Sequence, residues 1–150
     1  MRWLILALPL AVGCGASGVE IARASLTTSA HALVQADHAF GDAYQAASEA
    51  ARDSSATQEE KDQKMVAWEA AADEFESVYH DAATALVTAE VALDGYATAG
   101  DAGSWDEALA CAAASMRRMA KVLEERGLRI PAALAKVLAL SEGLYCAGAP

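Results

Sequence analysis

Downstream of residue 18 the apolar positions fall into heptad order. Val19, Leu26, Leu33, Phe40 and Ala47 recur every seven residues, with Ala22, Ser29, Ala36, Ala43 and Ala50 between them. A large residue at one seam position and a small one at the other lets two helices approach closely. No proline interrupts the pattern up to Arg52, so it predicts a first helix over about 19–52. The polar turn Asp53-Ser54-Ser55-Ala56 follows, and Thr57 with Glu60 has the spacing of a capping box that opens a second helix, about 58–96. There Met65, Trp68, Ala72, Phe75, Tyr79, Ala82, Leu86, Ala89, Leu93 and Tyr96 alternate steps of three and four and carry half of the aromatic residues of the body. A short loop between two long helices predicts antiparallel packing, with Phe40 near Ala72 and Leu26 approaching Leu86.

The stretch from Ala97 to Gly103 reads as a loop, and Ser104 with Glu107 forms a second capping-box spacing. A third helix, about 105–126, keeps the heptad order through Trp105, Leu109, Ala112, Met116, Met119 and Leu123, and Gly127-Leu128 gives it a Schellman-type end. Pro131 starts a fourth, about 131–146, presenting Leu134, Val137, Leu138, Leu144 and Tyr145. The expectation is one all-α domain over 19–150, an antiparallel bundle of two long and two shorter helices.

Composition agrees. The 150 residues are 55% hydrophobic but only 6% aromatic, rich in alanine, which suits close-packed helices and excludes an all-β sandwich or a disordered chain. The net charge of −10 repels a phosphate backbone, so no nucleic acid is expected as a partner. Charge is also uneven: between His31 and Ala110 there are 17 acidic and 3 basic residues, whereas Cys111 to Pro150 holds 3 acidic and 6 basic. The C-terminal hairpin can thus dock on the first two helices with favourable sign, and the acidic faces of those helices are the candidate partner surface.

The N-terminus has a different character. Arg2 precedes the apolar run from Trp3 to Val12, which as a helix rises only ~15 Å against the ~30 Å of a hydrocarbon layer, and Pro9 weakens it further as a span. It reads as an export signal. Ala11-Val12-Gly13-Cys14 then resembles the lipobox of bacterial lipoproteins. The resemblance implies that 1–13 is a signal peptide cleaved before Cys14, that the Cys14 sulfur carries diacylglycerol, usually with a third chain on the new amino group, and that 14–18 is a lipidated tether. Two or three acyl chains hold a soluble body at a membrane persistently where one does not. Gly15 in place of Asp implies the outer membrane, facing the periplasm, in a Gram-negative host.

Assigning Cys14 to lipid leaves Cys111 and Cys146. They lie fifteen residues from Arg126 and from Pro131 respectively, and so stand level in an antiparallel hairpin, ~22 Å from its turn. A structural disulfide is the expectation, two buried free thiols the alternative. Neither has a ligand-spaced Cys or His beside it, which argues against a metal site.

Other chemistry is sparse. His31 and His38 lie opposite the first seam, and His38–Asp42 and Glu76–His80 are isolated i,i+4 pairs without a Glu-x-x-His framework. There is no GxSxG, no HExxH and no glycine-rich phosphate loop. No enzyme activity, cofactor or metal is therefore expected. Arg117, Arg118, Lys121, Arg126 and Arg129 form a basic cluster, read either as a contact for anionic headgroups or as charge complementing a helix C-terminus. The function expected is that of an exported, lipid-anchored, non-catalytic envelope protein that contacts another envelope protein or the cell wall. The alternatives are a metal or small-ligand carrier and a phage-encoded lysis or exclusion lipoprotein. The long seams can also pair between chains, giving a homo-oligomer.

Overall fold

The computed structural model describes residues 18–99, 105–144 and 146. The signal segment, Cys14, most of the loop after the second helix, Ser104 with its capping box, and Tyr145 lie outside the described residues. The chain forms α1 (Gly18–Asp53), α2 (Gln58–Ala99), α3 (Trp105–Glu125) and α4 (Ala132–Leu140), packed as an all-α bundle. Successive helices are antiparallel, as cross-links along their length record: Arg23 on α1 meets Asp94 on α2, and Arg118 on α3 meets Asp81 on α2. α4 packs chiefly on α1, which places it diagonally opposite α2.

The long hairpin has the predicted register. Phe40 stacks on Phe75 with ring centroids 4.4 Å apart and shares a groove with Ala72, while Leu26 and Leu86 line another. Trp68 sits 6.0 Å from Phe40 and 6.4 Å from Tyr44, so the aromatic residues of α2 close around the middle of α1. Buried apolar positions are more numerous than one heptad seam provides. Ala71 and Val78 on α2 are buried beside the predicted Phe75, Ala82 and Leu86, because α2 packs against α1 on one side and α3 on the other. Tyr96 departs from its predicted place in the core: it is 40% exposed near the end of α2, which runs on through residues expected to be loop.

α3 is the most enclosed helix. Ala108, Leu109 and Ala110 are all buried, as are Ala112, Ala113, Met116, Met119 and Leu123. Three consecutive buried positions require cover on every side, and the third side is supplied by α4 and the chain beyond it. The α3 end is the predicted Schellman motif: the Leu128 N–H donates to the Leu123 carbonyl at 2.9 Å and the Gly127 N–H to Glu124 at 2.8 Å, with Gly127 at φ 68°.

The fourth helix is shorter than predicted, ending at Leu140 rather than continuing to 146. Ser141 caps it, its backbone N–H shared between the Val137 and Leu138 carbonyls and its hydroxyl donating to Leu138. Gly143, at φ 87°, then turns the chain, a conformation for which glycine carries no side-chain penalty. Beyond that turn the tail crosses α3: Leu144 lies against α1 and α3, whereas Cys146 lies against α2 and α3. The Arg117 guanidinium holds this strap from below, donating to the Ser141 carbonyl at 2.7 Å and the Leu144 carbonyl at 3.4 Å.

At the other end of the molecule the α1–α2 hairpin runs past α3, since Arg126 already stands over the Trp68 ring and α2 begins ten residues before that tryptophan, ~15 Å further out. The start of α2 is the predicted capping box: the Thr57 N–H donates to a Glu60 carboxylate oxygen at 2.8 Å and the Glu60 N–H to the Thr57 hydroxyl at 3.4 Å. The Glu60 carboxyl is held below the ordinary range, first by the Thr57 backbone N–H, then by its hydroxyl, with a small opposing desolvation and a weak contribution from Lys64. A depressed carboxyl pKa gives stability that is complete above the unfolded value and lost as pH falls through the folded one. Thr57→Ala should cost about 1 kcal/mol at neutral pH. Glu60→Gln should flatten the acid limb of the stability curve, which thermal melts at neutral pH and at about pH 3 would reveal.

Candidate functional site

The α1–α2 pair is covered by α3 and α4 on one side only. On the other, residues of α1 and α2 alone line a solvent-open groove of about 540 Å³, floored by Leu26, Leu33 and Leu86. A second hollow of about 370 Å³ continues it past Tyr79, the residue common to both, towards Gly41 and Tyr44. Measured along α1 from Arg23 to Tyr44, the combined trough is ~32 Å long. Helix periodicity explains it: a heptad seam buries one stripe, and residues one step to the side, such as Ala30, Val34 and Ala83, remain on a shallow apolar shoulder.

Exposed apolar surface gathers here. Val34 is 45% exposed, Val87 60% and Val91, one turn beyond, 67%. The margin is polar: Asp37 and Glu76 border the Tyr44 end and Glu90 the other, where Arg23 and Asp94 pair at 2.6 Å. That pair is more than half exposed on both sides and contributes little to stability.

Cys111 and Cys146, the predicted pair, are brought to disulfide distance, with Cα atoms 4.6 Å apart. They meet because the strap carries Cys146 over α3, not because two long helices stand level. Cys14 lies outside the described residues. His31 and His38 are exposed, His31 hydrogen-bonded to Gln35 at 2.9 Å, and among the described residues no group of three or more His, Cys, Asp or Glu is placed to hold a metal ion.

The basic cluster is dispersed into separate structural contacts. Arg117 binds the strap, Arg118 meets Asp81 at 3.6 Å, Lys121 meets Glu125 at 3.6 Å, and Arg126 lies 5.8 Å over Trp68 with its Nε buried. Trp68 is level with Phe40, ~33 Å along α1 from its first residue and several Debye lengths from the end to which residue 14 connects. Arg126 is thus an internal packing group remote from that end. A cavity of about 60 Å³ between α1, α3 and α4, bordered by Ser25, Leu109, Val137 and Leu144, has room for one or two small groups.

Sequence reasoning named the acidic faces of the first two helices and missed the trough within them. Its one available signal was the apolar shoulder, Ala30 with Val34 and Ala83 with Val87, each pair four residues apart and outside the seam.

The fold and this surface define an all-α helical bundle with an open two-helix face. Compared with protein-family models, with curated proteins and with solved structures, the chain matches none of them.

Proposed function

We propose that this chain is an exported lipoprotein, attached to a membrane by acyl chains on Cys14, whose helical body acts without catalysis by contacting another protein of the cell envelope. The observation that carries the contact is the trough between α1 and α2, where large apolar side chains stay in water inside an acidic margin. Contiguous exposed apolar surface bounded by polar residues marks interaction sites in soluble proteins. The attachment rests on Ala11-Val12-Gly13-Cys14 and on the apolar run before it. Among the described residues no helix is long and apolar enough to cross a membrane. A body starting four residues after the acylated cysteine stays within reach of the bilayer, α1 extending ~54 Å from its base.

Cys14→Ser should move the protein from the membrane pellet to the soluble exported fraction. A pellet-bound, correctly processed Cys14→Ser protein would contradict the anchor. In parallel, a photocrosslinking residue at Val87, 60% exposed, should capture an envelope protein in intact cells, whereas the same residue at exposed Val66 on the projecting tip should not. Equal capture from both positions, or none from Val87, would reject the α1–α2 face as the contact.

A further inference from the structure

We propose that the trough on the α1–α2 face receives an amphipathic helix of about five turns carrying lysine or arginine beside its apolar stripe, supplied by another protein. This rests on the interaction reading above and assigns the chemistry of the partner. Three observations carry it. The first is dimension: a trough ~32 Å long matches a helix of about 21 residues. The second is charge. Asp37, Glu76 and Glu90 stand on the margin, and none of them forms an ion pair within the described residues. A cationic flank finds complementary charge on this surface. A second copy of a chain with net charge −10 would instead set acidic margin against acidic margin.

The third is Gly41. Glycine within a helix is unfavourable relative to alanine, yet a Cβ at this position would meet nothing within 4 Å. Nothing inside the chain requires glycine there. It borders the trough beside Phe40 and Tyr44, where a missing side chain lets a neighbouring helix backbone come close. Helix-in-groove recognition uses this arrangement, an apolar stripe seated in a groove and charges at its edges fixing register.

The test uses the purified protein and a fluorescent synthetic helix of 21 residues, with leucines at alternating three- and four-residue steps and lysine and arginine on both flanks. Fluorescence anisotropy should show saturable binding that weakens with salt. Gly41→Leu fills the trough where space is free, so helicity and thermal midpoint should match or exceed those of the parent while binding weakens about tenfold or more. Val87→Glu should do the same from the opposite wall.

Neutralising the margin with Asp37→Asn, Glu76→Gln and Glu90→Gln should weaken binding about tenfold and flatten its salt dependence. Neutralising Glu49, Glu59 and Asp62 on the projecting tip to their amides should change it less than about twofold. The proposal is overturned if Gly41→Leu binds as tightly as the parent, if a scrambled peptide of identical composition binds equally, or if the tip variants lose as much as the margin variants. Sedimentation showing a dimer that Val87→Glu disperses would also overturn it, placing a second copy in the trough. None of these readouts passes through Cys14, and a partner crosslinked from Val87 alongside a failed peptide titration would reject the helix chemistry while leaving the contact face standing.

Discussion

Opening the Cys111–Cys146 bridge, with reductant or as Cys111→Ser with Cys146→Ser, should lower the unfolding free energy by about 4 kcal/mol. The two residues are 35 apart in sequence, so the bond removes a large closed loop's worth of freedom from the unfolded chain. The native side of the balance changes less. The strap retains its two hydrogen bonds from Arg117, and Leu134 and Val137 of α4 stay buried. Local effects should follow the same geography: with the bridge open, amides of the strap and of α3 around Cys111 and Ala113, beside which it lies, should exchange faster than those of the α1–α2 hairpin. Denaturant titrations of oxidised and reduced protein measure the first effect, and hydrogen exchange the second. Identical midpoints would show that the tail is held by packing alone.

Phe75→Ala is expected to have a comparable effect by another route. The ring is 4% exposed and stacks on Phe40 at 4.4 Å, nearly parallel at 8°. Its removal forfeits apolar burial, leaves a cavity between helices whose alanine-rich neighbours cannot expand into it, and deletes an aromatic pair. Together these amount to about 3–5 kcal/mol. For a domain of this size the melting temperature should fall by on the order of 10–15 °C. Val66→Ala, at a position 59% exposed, serves as the comparison and should leave the midpoint nearly unchanged. Since Phe75 lies at the centre of the long hairpin, a small effect there would mean that α1 and α2 pair differently.

The parts of this architecture that were legible are those fixed by local spacing. Heptad order from Val19 to Ala47 and from Met65 to Leu93 set two long antiparallel helices, Thr57 with Glu60 set a boundary, and Gly127 set another. The fourth helix was overextended because Leu144 and Tyr145 continue an apolar pattern, while Ser141 and Gly143, the residues that stop it, act through a cap and a left-handed turn that a periodicity reading passes over. The cysteine pairing was anticipated, yet the route to it was not: a strap across α3 replaces two level helices.

The trough was illegible for a different reason. A seam identifies which stripe is buried between two helices, but not which flank of that stripe a third and fourth helix will cover. Ala71 and Val78 went into the core, whereas Val34 and Val87, as apolar as either, stayed in water. The basic cluster misled because proximity in sequence was read as one surface. Arg117, Arg118 and Arg126 point to three different neighbours, as residues one and eight steps along a helix need not share one environment.

The proposed attachment governs what the body would reach, since on that proposal a trough whose near end lies in the second turn of α1 would meet partners close to the bilayer. Intact-mass spectrometry of protein extracted from membranes bears on it most directly. The account predicts a mature chain beginning at Cys14 and heavier than its sequence by two or three acyl chains. A chain of unmodified mass, or one retaining the residues before Cys14, would contradict it.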